Sequence, residues 1–209
     1  MMKQKKQLLK EAALALSLLF LVGPLTGCAG MPGKNMSGAA DASSTSSGQT
    51  APDSNHPGQP IQSDNDNETD FPGSYTVPDG WVKMEKYSTG NKIFYVEEGH
   101  EDDELLDNIS IEVGTNRYNV DEHEKFRDAI VRQLTMQLQG IDAELTGDGT
   151  YTEQDYILYI FTINEEDVVT KQYYIVGDQR YCLLHLTNFT GSENVNKAAR
   201  AMADSFVWD

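Results

Sequence analysis

The residues beyond position 73 predict an α+β fold in which an antiparallel sheet is flanked by helices. Strand-like runs follow one another with short turn signals between them, which is typical of antiparallel pairing. Two other segments repeat apolar residues with the period of a helix. Each of those helices has a single apolar stripe, and such a stripe must be buried against a sheet.

The chain divides into three regions of different composition. Residues 1–27 are basic and then apolar, and residues 28–72 are small and polar. Residues 73–209 hold both tryptophans and all ten tyrosines, and they are numerous enough to bury one sizeable core. We therefore predict a signal peptide over 1–27, a disordered polar linker over 28–72 and a single domain over 73–209.

The N-terminal region has the pattern of a lipoprotein signal peptide. A lysine-rich start precedes the uncharged run 12–22, and Gly23 and Pro24 then break the helix. Leu25-Thr26-Gly27-Cys28 follows and resembles the lipobox of bacterial lipoproteins. The resemblance implies cleavage before Cys28 and acyl chains such as palmitate on its sulfur, which anchor the chain to the extracytoplasmic face of the cell membrane. The alternative is an uncleaved transmembrane helix, but an 11-residue apolar core is short for a bilayer.

The linker contains an acidic run that alternates like the start of a calcium loop, at Asp64, Asp66, Glu68 and Asp70. Thr69 stands where such a loop needs glycine for its sharp turn. We interpret the run as solvated linker.

The charge of the chain excludes one class of partner. The formal net charge is −17, and residues 73–209 carry 26 acidic and 11 basic residues. Such a surface repels nucleic acid phosphates and anionic lipid headgroups. Nucleic acid binding is therefore not expected, and attachment to the membrane depends on the lipid at Cys28.

The first half of the domain reads as three strands and a helix. Strands are predicted at 81–87, 92–97 and 108–114. A helix begins at Asp121, with Glu124 completing an acidic capping box, and ends at Gly140. Its apolar stripe comprises Phe126, Ile130, Leu134 and Leu138.

The second half reads as four consecutive strands and a last helix. The strands are predicted at 142–151, 154–163, 168–176 and 180–187, because these runs are rich in β-branched and aromatic residues. The helix begins at Ser192, and its stripe comprises Val195, Ala198, Ala199, Met202, Ala203 and Phe206.

This order of strands and helices resembles that of the PsbP-like fold. The proteins with this fold include extracytoplasmic lipoproteins of the DcrB type. The resemblance is carried by the opening Tyr75…Pro78-Asp79-Gly80-Trp81, the order of elements, and a terminal helix with Met202…Ser205-Phe206. It implies an α/β/α sandwich and members that mostly bind or assist partners. It implies no particular partner, because a fold does not fix a function.

The strongest candidate site is an acidic loop after the second strand. Its seven carboxylates lie within eleven residues and are the candidate calcium ligands: Glu97, Glu98, Glu101, Asp102, Asp103, Glu104 and Asp107. Hard cations prefer many oxygen ligands. The spacing of these carboxylates matches no known calcium-binding loop. A solvated loop that keeps a strand edge from pairing explains the acidic run equally well.

No catalytic residue is predicted. The histidines are scattered, and no phosphate loop, nucleophile elbow or zinc motif is present. Cys182 lies in an apolar run with His185 three residues away, so a strand places them on opposite faces. We predict that Cys182 packs in the core without reacting. Core packing is also the ordinary explanation for the aromatic residues, although they would suit a ligand groove: Tyr156, Tyr159, Phe161, Tyr173, Tyr174 and Tyr181.

Three hypotheses follow for function. The first is a lipid-anchored, non-catalytic binding or assembly module that recruits an extracytoplasmic protein partner. The second is a small-ligand or calcium receptor that uses the loop 97–107, in which case calcium is the only cofactor. The third and weakest is a hydrolase, which requires a pocket that holds a base beside a hydroxyl or thiol.

Overall fold

The computed structural model describes residues 71–209, and within them the chain forms nine strands and two α-helices. The strands are β1 (Gly73–Ser74), β2 (Trp81–Lys83), β3 (Lys92–Glu97), β4 (Asn108–Thr115), β5 (Glu144–Tyr151), β6 (Ile157–Asn164), β7 (Val169–Gly177), β8 (Arg180–Asn188) and β9 (Val207–Trp208). The helices are α1 (His123–Gln137) and α2 (Glu193–Ser205). Neither helix is long and apolar enough to cross a bilayer. The predicted signal peptide, Cys28, the linker and its acidic run lie outside the described residues.

Seven strands form one antiparallel sheet in the order β2-β3-β4-β8-β7-β6-β5. The predicted meander is confirmed, because β5, β6, β7 and β8 pair in sequence. The first three strands join it through β4 and β8, which pair over eight positions from Asn108↔Thr187 to Thr115↔Arg180. The predicted antiparallel sheet flanked by helices is therefore confirmed.

The two helices cover opposite faces of this sheet. The α1 stripe packs in a cluster with Tyr174, Val176 and Leu183, whereas the α2 stripe packs in a second cluster with Tyr173 and Leu184. Neighbouring residues of a strand thus enter different clusters, as strand alternation requires. The domain is a three-layer α/β/α sandwich.

Helix α2 forms as predicted. Ser192 is its N-cap, and its side chain accepts a hydrogen bond from the Asn194 N–H at 3.1 Å. All six stripe residues are buried, and five of them belong to the helix itself. Small alanines along the stripe let the helix approach the sheet closely.

Helix α1 begins differently from the prediction. A 3-10 turn spans Val120–Glu122, and the α-helix starts at His123. Asn119 is extended, and its N–H donates to the Glu122 carboxylate at 3.4 Å. The capping box is therefore formed by Asn119 and Glu122, two residues before the predicted pair Asp121 and Glu124. The stripe is confirmed: Phe126, Ile130 and Leu134 are buried.

Two predicted strands are too long. The run 81–87 leaves the ladder after Lys83 because the Tyr87 and Ser88 N–H groups donate to the Met84 carbonyl and form a turn. The run 154–163 joins its strand only at Ile157. The residues before it bend around the Thr152 hydroxyl, which accepts from two backbone N–H groups.

A two-stranded ladder between the first and last strands of the described residues was not predicted from the sequence. Strand β1 pairs with β9 through Gly73↔Trp208 and Ser74↔Val207. A Cβ atom on Gly73 would lie 2.6 Å from Cζ of Phe206, so the close approach requires glycine. The Arg180 guanidinium lies over the Trp208 ring at 4.3 Å and stabilises the closing strand.

A glycine in β4 provides a test of this packing. A Cβ atom on Gly114 would lie 2.4 Å from the Tyr181 ring, which is itself held between Phe126 and Tyr174. We predict that Gly114→Ala lowers the free energy of unfolding by about 1–3 kcal/mol, because the buried ring has no room to move. Urea denaturation measures it. Thr115→Ala is the control, with a change within about 0.5 kcal/mol, and equal effects for the two variants would contradict the packing.

Candidate functional site

The acidic loop lies between β3 and β4, and its carboxylates do not converge. Glu97 accepts a hydrogen bond from the Asn194 side chain at 3.3 Å. Asp103 is 2.8 Å from Nδ1 of His100 and raises the pKa of that imidazole. Glu98, Asp102 and Glu104 are exposed. Backbone N–H groups lower the pKa of Glu101. Within residues 71–209, no group of three or more His, Cys, Asp or Glu side chains is placed to hold a metal ion.

Asp107, the last of these candidates, binds the turn that leads into α2. Its carboxylate accepts from the Phe189 N–H at 2.7 Å, from the Thr190 N–H at 3.1 Å and from the Thr190 hydroxyl. In the same turn, the Asn188 side chain accepts from the Gly191 N–H at 2.8 Å. Asp107 therefore fixes the entry to α2, a role that its place in an acidic run does not reveal.

A group of polar side chains lies on the α1-side face of the sheet, at its centre. Across β4, β8 and β7, Ser110 lies opposite His185, and His185 lies opposite Gln172. The next row along the same face consists of Asn108, Thr187 and Thr170. All six are at most 7% exposed. We call these six residues the polar patch.

Burial decides the charge state of the patch. His185 is 4% exposed, and its loss of hydration, helped by the nearby Lys92 cation, lowers the pKa of the imidazole to about 3. Glu112 follows Ser110 on the same face, and burial raises the pKa of its carboxyl while Lys92 opposes the change. At neutral pH the six residues therefore present hydroxyl, amide and uncharged imidazole groups.

One member of the patch is incompletely bonded. The Gln172 side chain is fully buried, and its carbonyl accepts from the Tyr174 hydroxyl at 2.8 Å. Its Nε2 amide has no hydrogen-bond partner. A buried donor without a partner costs about 1–3 kcal/mol, so the patch is a costly way to fill a sheet face. The uncharged groups of the polar patch are suited to hydrogen bonds with other neutral polar groups.

The reactive side chains considered from the sequence lie apart. Cys182 belongs to the α2-side cluster, whereas His185 is on the α1 side, so the predicted opposite placement is confirmed. Cys182 is a free, fully buried thiol, and burial raises its pKa well above the usual value. This environment keeps the sulfur protonated, in agreement with inert packing.

The aromatic residues also pack as predicted. Tyr159, Phe161, Tyr174 and Tyr181 belong to the α1-side cluster, and Tyr156 and Tyr173 pack on the α2 side. An additional contact joins His123 to this set, with 2.6 Å between Nδ1 and the Tyr159 hydroxyl.

Sequence reasoning missed the polar patch. A signal was present, because His185 interrupts an apolar run and polar residues recur at alternate positions of two strands, at Thr170 and Gln172 and at His185 and Thr187. The signal was incomplete, since only the register between strands brings these residues together.

Comparisons with known proteins bear on the fold. No protein-family model matches the chain, and no curated protein matches it. The chain is similar to the solution structure of cyanobacterial PsbP (CyanoP) from Synechocystis sp. PCC 6803, with 12% identity and a TM-score of 0.44, over 68% of this chain and 89% of that one. That protein bears the name of the group that the sequence pattern resembles.

A second similar structure is a crystal structure from Bacteroides thetaiotaomicron VPI-5482. The identity is 12% and the TM-score 0.38, over 66% of this chain and 45% of that one. At these values neither likeness carries an inference about function.

The role of Asp107 can be tested directly. We predict that Asp107→Asn lowers the free energy of unfolding by about 1–3 kcal/mol, because it weakens charge-assisted hydrogen bonds to the turn. The exposed Asp102→Asn is the control and should change stability by less than about 0.5 kcal/mol. Chemical denaturation in chelator-containing buffer measures both. A loss that appears only when calcium is present would instead assign Asp107 to a cation site.

The burial of His185 predicts a pH dependence. The unfolded imidazole binds a proton near pH 6.5, whereas the folded one does so only near pH 3. Between these values the unfolded chain holds more protons, so the free energy of unfolding decreases as the pH falls, by about 1.4 kcal/mol per pH unit from this residue. Burial raises the pKa of Glu112, so the folded chain holds this proton more tightly than the unfolded chain. The contribution of Glu112 to the free energy of unfolding therefore increases as the pH falls.

His185→Gln separates these contributions, because it removes the imidazole and leaves Glu112 in place. We expect the variant to lose stability less steeply than the wild type between pH 6.5 and pH 4. Denaturation curves at half-unit pH steps measure the slopes, and parallel slopes would show that His185 is protonated in the folded protein.

Proposed function

We propose that the chain is a lipid-anchored, non-catalytic module that recruits a protein partner at the extracytoplasmic face of the cell membrane. In this proposal the acyl chains on Cys28 hold the chain at the bilayer, and residues 73–209 bind the partner. The proposal is supported by the resemblance of the opening motif and the order of elements to the PsbP-like group, which includes lipoproteins of the DcrB type.

The burial of the reactive side chains carries the non-catalytic part of the proposal. Cys182 is fully buried and His185 is 4% exposed, so neither meets a substrate at the surface. Of the other two histidines of the described residues, His123 bonds to the Tyr159 hydroxyl, and His100 bonds to Asp103 in a loop where no serine, threonine or cysteine lies within five residues. General base catalysis requires a base within reach of its substrate.

The lipid anchor is supported by charge as well as by the lipobox. The acidic surface of residues 73–209 repels anionic headgroups, so a basic patch does not attach this domain to the membrane. A doubly or triply acylated cysteine supplies stable anchoring without any attraction between the domain and the lipid.

The calcium alternative draws no support from the described geometry. The Asp107 carboxylate accepts hydrogen bonds from the Phe189 and Thr190 N–H groups, and the Glu97 carboxylate accepts one from the Asn194 side chain. Within residues 71–209 no three His, Cys, Asp or Glu side chains are placed to hold a metal ion, whereas a calcium site needs six to eight oxygens around one point.

The proposal makes a prediction about Cys28. Cys28→Ser should abolish incorporation of labelled palmitate and release the chain from the membrane fraction, because no other group anchors it. Cys182→Ala is the matched control, since it removes the only other cysteine and should leave labelling and membrane association unchanged. Labelling in intact cells followed by fractionation measures both.

Two results would contradict the proposal. One is palmitate labelling that survives Cys28→Ser. The other is the absence of any cross-linked protein partner when photoreactive residues are placed around the exposed surface of the anchored protein in cells.

A further inference from the structure

We propose that the outer edge of β5 is the docking surface, and that it takes an extended segment rich in Lys or Arg from the partner protein as an added strand. The inference rests on the proposed function, and it names the surface and the kind of partner.

The length of β5 distinguishes it from the other edge. The sheet ends in β2, with three residues, and in β5, with eight. Natural proteins protect sheet edges with short strands, prolines and lysines. Strand β5 is long, its sequence Glu-Leu-Thr-Gly-Asp-Gly-Thr-Tyr contains neither proline nor lysine, and its only charged residues are the acidic Glu144 and Asp148.

The hydrogen-bond pattern identifies the outward-facing peptide groups. The Thr152 N–H donates to the Tyr156 carbonyl at 2.9 Å, so this pair belongs to the bonded set between β5 and β6. Bonded and non-bonded pairs alternate in an antiparallel ladder. Leu145, Gly147 and Gly149 therefore direct their N–H and C=O groups away from β6.

The environment of Gly149 agrees with this assignment. Its N–H points away from β6 and donates to the Asp148 carboxylate at 2.8 Å. That acceptor is an exposed side chain, which an incoming carbonyl can replace. The released Asp148 carboxylate is then placed to pair with a cation on the added strand.

The two glycines also leave the edge sterically open. A Cβ atom on Gly147 would lie 2.9 Å from Cδ1 of Phe161, and one on Gly149 would lie 3.1 Å from Cε1 of Tyr159. The rings of β6 thus lie against bare backbone. An added strand meets two exposed positions that carry no side chain, and glycine is typical of such close backbone approaches.

The acidic charge around β5 indicates what kind of partner segment binds there. Residues 133–170 contain eight acids and no Lys or Arg. At the C-terminal end of the strand, the Arg200 guanidinium donates to the Tyr151 carbonyl at 3.2 Å and pairs with Asp204, so the acidic part of the edge is 144–149. Asp142, Glu144 and Asp148 are exposed along or beside the strand. A segment with Lys or Arg at alternate positions is attracted to this edge. A second copy of β5 would place like charges opposite one another, which disfavours a homodimer.

The edge can be tested with a defined probe and the acylated protein in detergent. The probe is a ten-residue peptide of alternating lysine and valine. We expect it to slow amide hydrogen exchange at Leu145 and Gly147 by at least about tenfold and to leave β2 unchanged, because only β5 gains a pairing strand.

Charge-reversal variants separate docking from general attraction. Asp148→Lys should weaken peptide binding by about tenfold, because it places a lysine on the edge itself. Glu153→Lys makes the same charge change in the turn after β5, and it should weaken binding less than about threefold. Equal losses in the two variants, or unchanged exchange at Leu145 and Gly147, would overturn the proposal.

A cellular experiment distinguishes this inference from the function on which it rests. A photoreactive residue at Thr146 on β5 should capture a Lys- or Arg-rich segment of another protein, and capture should be lost with Asp148→Lys. Capture only from Gln137 on α1, or capture of a second copy of this chain, would overturn the edge proposal. Capture of no protein from any exposed position would overturn the recruiting function as well.

Discussion

The pairing of β4 with β8 is the interaction on which the domain depends. Every other strand of the sheet is joined to its neighbour in sequence by a short connection, whereas this ladder joins segments separated by α1 and three strands. It brings the two meanders into one sheet and so creates both continuous faces. Because the loop it closes is long, its ordering entropy must be recovered from the apolar residues of the two clusters. The polar patch lies on this ladder and weakens the sheet where its formation is most demanding.

The two faces of the sheet make different use of the same strands. The α2 side is apolar where the helix packs on it, and Thr162 and Lys171 also lie on this face. The α1 side is apolar near Tyr174 and Tyr181 and polar around His185. Both parts of the α1 side are buried, so this face combines an apolar region with a buried region rich in hydrogen-bonding groups, while the edge at β5 is acidic.

Much of this architecture could be predicted from the sequence, because its signals are local. The stripes of both helices and the four-strand meander follow from periodicity and turn residues. The end of β2 at Lys83 was missed because the local turn that follows, at 84–87, contains none of the usual turn residues Gly, Pro, Asn and Asp. The structural role of Asp107 could not be predicted, since its partners Phe189 and Thr190 are distant in sequence. The polar patch was missed for the same reason: Gln172 and His185 meet only through strand register.

The β1–β9 ladder has a consequence for the point at which the N-terminal region joins the domain. The chain enters the domain beside Gly73, which pairs with Trp208 near the C-terminus. The segment after α2 is therefore part of the attachment point, and removal of Val207 and Trp208 would leave the first residues of the domain without their partner strand.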